Sequence, residues 1–287
     1  MKRKEFLQRG LGGVFGLIAL PSVFAKSSED EHEQKVEQVG FNHLPNKEIK
    51  TMKTVLHKAA TRGHANHGWL DSHHTFSFAN YYNPERMRFG VLRVLNDDVV
   101  DGGMGFGTHP HDNMEIISIP ISGDLEHKDS MGNTMVIRQN DVQIMSAGTG
   151  ITHSEYNKNK DKKVNFLQIW VFPKERQIKP AYGQQQFLPA TQQNKLIQVV
   201  SPAEDKDGLT ILQDAWFSLG RFDAGKSFDY SVKRKGNGAY VFVIEGELKI
   251  GDQALSRRDG FGIWETEKFS VEITGDAHVL IMDVPMN

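Results

Sequence analysis

From about residue 51 onward the chain reads as short runs in which apolar and polar residues alternate, broken by Gly, Asn and Asp. Residues 89–95 (FGVLRVL) alternate well, and 115–121 (EIISIPI) end at Ser122-Gly123-Asp124. Residues 165–172 (NFLQIWVF) carry a strong apolar signal, and further runs cover 51–56, 134–138, 142–145, 195–200, 210–213, 216–222, 239–244, 247–250, 269–274 and 278–284. A period of two puts successive side chains on opposite faces of a strand. Long runs with a helical period are largely absent. Many short strands with turn signals at roughly 8–12-residue spacing predict an all-β fold of barrels or sandwiches.

The pattern repeats weakly. Ile121-Ser122-Gly123-Asp124-Leu125 is matched by Ile244-Glu245-Gly246-Glu247-Leu248, an offset of 123 residues between the glycines. Each copy is followed by a turn acid and an apolar strand, Asp141 before VQIM and Asp259 before GFGIW. Most repeat arrays have much shorter periods, so a duplicated small β-barrel fits, with one half at 51–175 and the other at 176–287.

The first fifty residues break this pattern. Lys2, Arg3 and Lys4 precede a mostly apolar stretch from Leu11 to Phe24, and Val23 and Ala25 are small residues at −3 and −1 of a cut after Ala25. This predicts a cleaved export signal over 1–25. The stretch is shorter than the roughly 20 residues of a membrane span. Lys2-Arg3-Lys4-Glu5-Phe6-Leu7 resembles a twin-arginine export motif with Lys4 in place of the second arginine, which leaves the general secretory route open. Residues 26–50 are polar and read as a solvated arm that includes His32. The expected destination is the periplasm, with no membrane anchor after cleavage.

Composition narrows the chemistry. Of 287 residues none is cysteine, which excludes disulfides, thiolate metal sites, a cysteine nucleophile and a lipobox. Loss of 1–25 removes four basic residues and one acid and moves the formal charge from −2 to −5. That balance gives no reason to expect a nucleic-acid partner. Eleven of the twelve histidines lie at or before His153, leaving only His278 in the second half. Any metal site must use His, Asp and Glu, and the histidines are concentrated in the first half.

One constellation stands out. His109-Pro110-His111 follows a glycine-rich segment from Gly103, with Glu115 four residues on. His153-Ser154-Glu155 follows Gly148-Thr149-Gly150. On extended backbone each pair shares a face. If the two strands meet in one barrel, three imidazoles and a carboxylate converge. A nitrogen and oxygen set of this kind suits iron(II), nickel, manganese, copper or zinc. Four protein ligands would leave a coordination position open, the mark of a catalytic or ligand-binding site. His64, His67, His73 and His74 are expected to brace the barrel, with a cavity wall as the functional alternative for one of them. His127, after a turn, is expected at the surface. Phe76, Phe78, Tyr81 and Tyr82 read first as core, although an aromatic ligand would find them useful. No nucleophile elbow, phosphate loop or metalloprotease helix motif is present.

The two blocks resemble the paired cupin motifs. More narrowly, 68–84 (GWLDSHHTFSFANYYNP), the His109–Glu115 block and 146–157 (SAGTGITHSEYN) are similar to blocks of the pirin family, and the resemblance spans about 51–287. It implies a bicupin, two tandem jelly-roll β-barrels packed together, with one metal in the first. It implies metal ligands His109, His111, His153 and Glu155. In cupins generally the carboxylate comes from the first motif, here Glu115; in pirins it comes from the second, here Glu155. Glu155 is therefore the expected carboxylate ligand and catalytic base, with Glu115 the alternative base. Counting from Gly246, Val232 and Gly238 stand where His109 and Glu115 would be, so the second barrel is expected to be metal-free.

The resemblance also implies a quercetin 2,3-dioxygenase-like enzyme, acting as a monomer on a flavonol-like substrate and O2, with iron(II) as the first choice of metal. The ring would open with loss of carbon monoxide. The alternative is a non-catalytic, redox-responsive metal protein that binds a partner in the cell envelope.

Overall fold

The computed structural model describes residues 52–205 and 207–287. The expected export signal at 1–25 and the arm at 26–50 lie outside the described residues. Three β-sheets hold nearly all of the regular secondary structure among the described residues. A seven-stranded sheet runs in the order Ala181–Gln186, Asp141–Ser146, Glu115–Ser122, Val164–Val171, Leu92–Val100, Leu70–His74 and Gly63–Asn66. It faces a four-stranded sheet ordered Gly105–His111, Ile151–Asn157, Asp124–Asp129 and Thr134–Arg138. A nine-stranded sheet carries the C-terminal strands. Its first strand, Lys53–His57, comes from the start of the described chain and pairs with Gly260–Trp264. Conversely, Ala181–Gln186 adds to the sheet of the first half.

Alternation explains where the cores sit. In Asn237–Ile250, Tyr240, Phe242 and Ile244 point into a core shared with Leu95, Ile117, Ile119, Leu167 and Ile169 of the first half. Ala239, Val241 and Val243 point the other way, into the interior of the second half, among Leu248, Phe261, Val271 and Ile281. Both faces of the strand's 239–244 stretch are buried, so the sequence there is unbroken apolar. The interior of the second half is filled by hydrocarbon. In the first half, Phe166 and Leu125 form one apolar end and Ile116 and Met145 the other. Between those ends, Ser118, Gln168, His153 and Glu155 are buried polar groups.

The expected runs at 134–138 and 216–222 are strands with those bounds, Thr134–Arg138 and Trp216–Phe222. Two expected breaks are absent: 239–244 and 247–250 belong to one strand, Asn237–Ile250, and 269–274 and 278–284 to another, Lys268–Pro285. The repeat glycine accounts for the first. Gly246 has φ +88°, and a Cβ there would collide with the Asp276 carbonyl oxygen. The register shifts beside it while pairing continues, so the strand bends at a bulge instead of ending. Its counterpart Gly123 also has positive φ and sits between two separate strands.

The halves are also joined by charge. Arg258 Nε lies 3.1 Å from Asp97 Oδ2, and Arg62 Nη1 lies 3.2 Å from the same oxygen, with all three side chains nearly buried. Arg258 further donates to Ile244 O at 2.7 Å and to Asn165 Oδ1 at 3.0 Å.

Candidate metal centre

Three neighbouring antiparallel strands build the site. His109 is the direct cross-strand partner of His153, with a bulge between His153 and Glu155. On its other side, the Ile151–Asn157 strand sets His153 opposite Asp129 and Glu155 opposite His127. Burial along this strand alternates strictly from Ile151 to Asn157, which sends His153 and Glu155 inward. Pro110 sits between two inward histidines without breaking the sheet, because its strand is an edge. The glycine-rich approach has a steric reason: a Cβ at Gly105 would strike the Glu155 carbonyl oxygen.

The imidazoles of His109, His111 and His153 converge, with ring centroids 4.4–4.9 Å apart. One nitrogen from each lies within 4.8 Å of the others. Ligand atoms of His127, His153 and Glu155 meet the same limit. Glu155 thus neighbours His153 without lying that close to His109 and His111 together. His109 Nδ1 is 2.8 Å from Gly107 O. A carbonyl only accepts, so this nitrogen carries the proton and Nε2 is left with a lone pair. His153 Nε2 is buried and has no hydrogen-bond partner. Burial, with His153 and His109 nearby, lowers the His111 pKa to about 4, and burial, with His109 and His127 nearby, lowers that of His153 to about 3. These are neutral imidazoles, the form that ligates metal. A buried orphan nitrogen in a set free of thiolates fits a divalent transition metal.

Glu155 is 2% exposed. Ser118 Oγ donates to its Oε1 at 3.2 Å and Gln168 Nε2 to its Oε2 at 2.7 Å. Glu115 is not brought to this group. It shares strand parity with Ile117 and Ile119, which face the second half, and is opposite in parity to Ser118. Its Oε2 accepts from Ser146 Oγ at 2.8 Å and from the Leu212 amide at 3.2 Å. Burial raises its pKa.

His127, expected at the surface, is fully buried beside His153. The signal was present in the sequence: His127 and Asp129 alternate inward in the same way as the ligand pairs, after the apolar Leu125. A turn upstream says nothing about which face of the following strand is covered.

A cavity of about 460 Å³ adjoins the site, lined by His109 and Glu155 among others. This volume falls in the roughly 300–1,000 Å³ range of small-molecule pockets. Phe78, Trp170, Phe106 and Leu70 supply apolar and aromatic walls. Of the expected aromatic core residues, Phe76 is core, Phe78 and Tyr81 line the cavity, and Tyr82 is exposed. Three of the bracing histidines, His64, His67 and His74, also line it. On the polar wall Ser72 Oγ donates to Asp98 Oδ1 and lies 2.8 Å from His74 Nε2. Burial pushes the Asp98 carboxyl up to about 7. The atoms His74 Nδ1, Asn96 Oδ1 and Trp170 Nε1 are buried without partners in residues that line the cavity.

Comparison with known proteins adds a family. The model described as Pirin matches residues 55–171, and the one described as quercetinase C-terminal cupin domain matches 198–284. A quercetin 2,3-dioxygenase of Escherichia coli K12 is 44% identical over 234 residues, 80% of this chain and 98% of that protein. A pirin-like protein of Caulobacter vibrioides is 36% identical over 222 residues, covering 77% and 95%. Among solved structures, Escherichia coli YhhW has a TM-score of 0.78 at 42% identity, covering 82% of this chain and 99% of its own. A nickel(II) complex of that bacterial pirin matches with the same score at 40% identity, covering 82% and 100%.

Proposed function

The chain belongs to the pirin family, with its two tandem cupin halves, and from that premise we propose that it is a metal-dependent dioxygenase opening the ring of quercetin or a related flavonol or enol with O2. The observation that carries this reading is the His109, His111 and His153 cluster, with its orphaned His153 Nε2, at the wall of an aromatic-lined cavity. The names of the similar E. coli proteins support the substrate class. We assign His109, His111, His153 and Glu155 as ligands of one divalent metal. Iron(II) is our first choice; nickel, zinc, manganese and copper are the alternatives, because such a donor set follows metal availability as much as affinity.

When bound, the metal would supply Lewis-acid chemistry, lowering the pKa of a hydroxyl group held against it. The chain's own residues do the rest. Phe78 and Trp170 present aromatic surface to a flat ring. We assign Glu155 as the base that takes the substrate's hydroxyl proton on leaving the metal, with Ser118 and Gln168 keeping its oxygens oriented. Glu115, on the strand face turned toward the second half, is the alternative base. Ring opening puts both atoms of O2 into the product and releases one carbon as carbon monoxide.

The test uses the mature chain purified with its native metal. Quercetin absorbance should fall only with oxygen present, with carbon monoxide released, and His109→Ala should lose both metal and turnover. Absence of oxygen-dependent quercetin loss would overturn the dioxygenase reading and favour a metal protein without turnover. We further propose that the protein is exported to the periplasm, begins there at Lys26, carries no anchor and acts as a monomer on small molecules rather than nucleic acid. N-terminal sequencing of the native protein and its molar mass in solution test these points.

A further inference from the structure

Behind His153, on the side away from His109, lies a second buried chain of polar groups that ligation does not use. His153 Nδ1 is 3.5 Å from His127 Nδ1, and His127 Nε2 is 3.2 Å from Asp129 Oδ2. The His127 and Asp129 side chains are both 0% exposed. Asp129 Oδ1 accepts from the amides of Met131 and Asn133, and Oδ2 also accepts from Asn133 Nδ2 at 2.8 Å. The carboxylate is therefore anchored by its own turn and cannot swing away. The ring of His127 lies against that of Tyr182, centroids 5.1 Å apart, which fixes its plane.

With Asp129 ionised and His127 carrying a single N–H, one order of donors and acceptors runs along this chain. An ionised carboxylate only accepts, so His127 Nε2 must carry the proton that points at Asp129. A neutral imidazole has one N–H, so His127 Nδ1 is then an acceptor. The group facing that acceptor is His153 Nδ1, which must in turn be the donor. His153 Nε2 is left unprotonated, and it is the buried atom with no partner. His109 reaches the same tautomer by a simpler device, the Gly107 carbonyl. Two histidines on adjacent strands are thus set the same way by different means.

We propose that His127 and Asp129 are positioning residues that lock His153 in its Nε2-accepting tautomer and orientation, so that the nitrogen is presented ready to ligate. The inference rests on the metal-site reading above for its purpose, but the tautomer it requires exists without metal. Outer hydrogen bonds of this kind fix the tautomer of a ligating histidine, and losing them typically costs about 10–100-fold in metal affinity.

Two measurements test it. The first is long-range ¹H–¹⁵N correlation of metal-free protein, which reads each imidazole tautomer directly. The expected result is protonated Nδ1 on His153 and protonated Nε2 on His127; the reverse on His153 overturns the proposal. The second compares His127→Gln with His127→Leu by nickel(II) affinity in chelator competition and by the visible spectrum of the cobalt(II) form. Glutamine can accept from His153 and donate to Asp129, so it should stay within about threefold of wild type. Leucine fills the space without either bond and should bind about 10–100-fold more weakly, with an altered spectrum. A purely structural role would lower the leucine variant's melting temperature and leave spectrum and affinity unchanged, and that result overturns the proposal. If the leucine variant does not fold, His127→Asn, polar but too short to bridge, takes its place with the same expectation. A wild-type chain that takes up no nickel(II) defeats the site reading, and the tautomer spectrum still decides the positioning role.

Discussion

Replacing Gln168 with leucine probes how far the carboxylate at position 155 depends on its neighbours. Glu155 and Gln168 are both buried, at 2% and 8% exposure. The amide donates to Glu155 Oε2 at 2.7 Å, and Ser118 Oγ lies 3.2 Å from Oε1 and 2.9 Å from Gln168 Oε1. The three side chains form a triangle in which the single Ser118 proton serves one of two acceptors, and leucine keeps the volume while removing both contacts of Gln168, including the shortest. A hydrogen bond to an ionised group contributes about 1.5–3 kcal/mol. In metal-free protein that loss appears as about 2 kcal/mol less unfolding free energy in urea. Metal affinity should fall by about 10–100-fold through lost orientation of the carboxylate, equivalent to about 1.4–2.7 kcal/mol. Nickel(II) competition against a chelator and urea denaturation read the two effects separately. A nickel(II) affinity within threefold of wild type, with an unchanged urea midpoint, would refute the reasoning that Gln168 holds Glu155.

Three further outcomes follow from the packing. Arg258→Met leaves buried Asp97 with Arg62 and the Asn165 amide and should cost about 3 kcal/mol in urea denaturation, part of it recovered in the double variant with Asp97→Asn. Glu115→Gln should leave nickel(II) affinity unchanged, while Glu115→Leu strands the Leu212 amide and the Ser146 hydroxyl and should cost about 1–3 kcal/mol of stability. Burial, helped by nearby arginine or histidine, lowers the pKa of His57 and His74 to about 4 and that of His278 to about 3, against about 6.5 when unfolded. Below pH 6.5 the unfolded chain binds protons that the fold excludes, so stability is complete above that pH and falls toward pH 4 and below. Each group contributes about 1.4 kcal/mol per pH unit. Metal-free protein should lose several kcal/mol between about pH 7.5 and 5.5, and His278→Leu should flatten that slope by about 1 kcal/mol.

The strands that bury one or two apolar faces were legible in the sequence, because alternation and hydrophobicity reinforce each other in Trp216–Phe222 and Val164–Val171. The polar strands were not. Gly63–Asn66 and Leu70–His74 hold few apolar residues because their inner faces line a cavity instead of a core. Pairing across the chain was equally silent: nothing local in Lys53–His57 tells that its partner is Gly260–Trp264. At the site, spacing put His109 with His111 and His153 with Glu155, and the structure brings the three histidines together. Parity also separated Glu115 from Ser118, a reading available from the strand alone. His127 went unnoticed as a buried group because His-x-Asp after a turn reads as surface unless the covering strand is known.

The most direct test is a crystal structure of the chain loaded with nickel(II) or iron(II), using anomalous scattering at the metal's absorption edge. The account predicts one strong peak per chain, bound by Nε2 of His109 and His153, an imidazole nitrogen of His111 and a carboxylate oxygen of Glu155, open toward the cavity walled by Phe78 and Trp170. A peak elsewhere, no peak, or a metal that leaves His153 Nε2 unligated would contradict it.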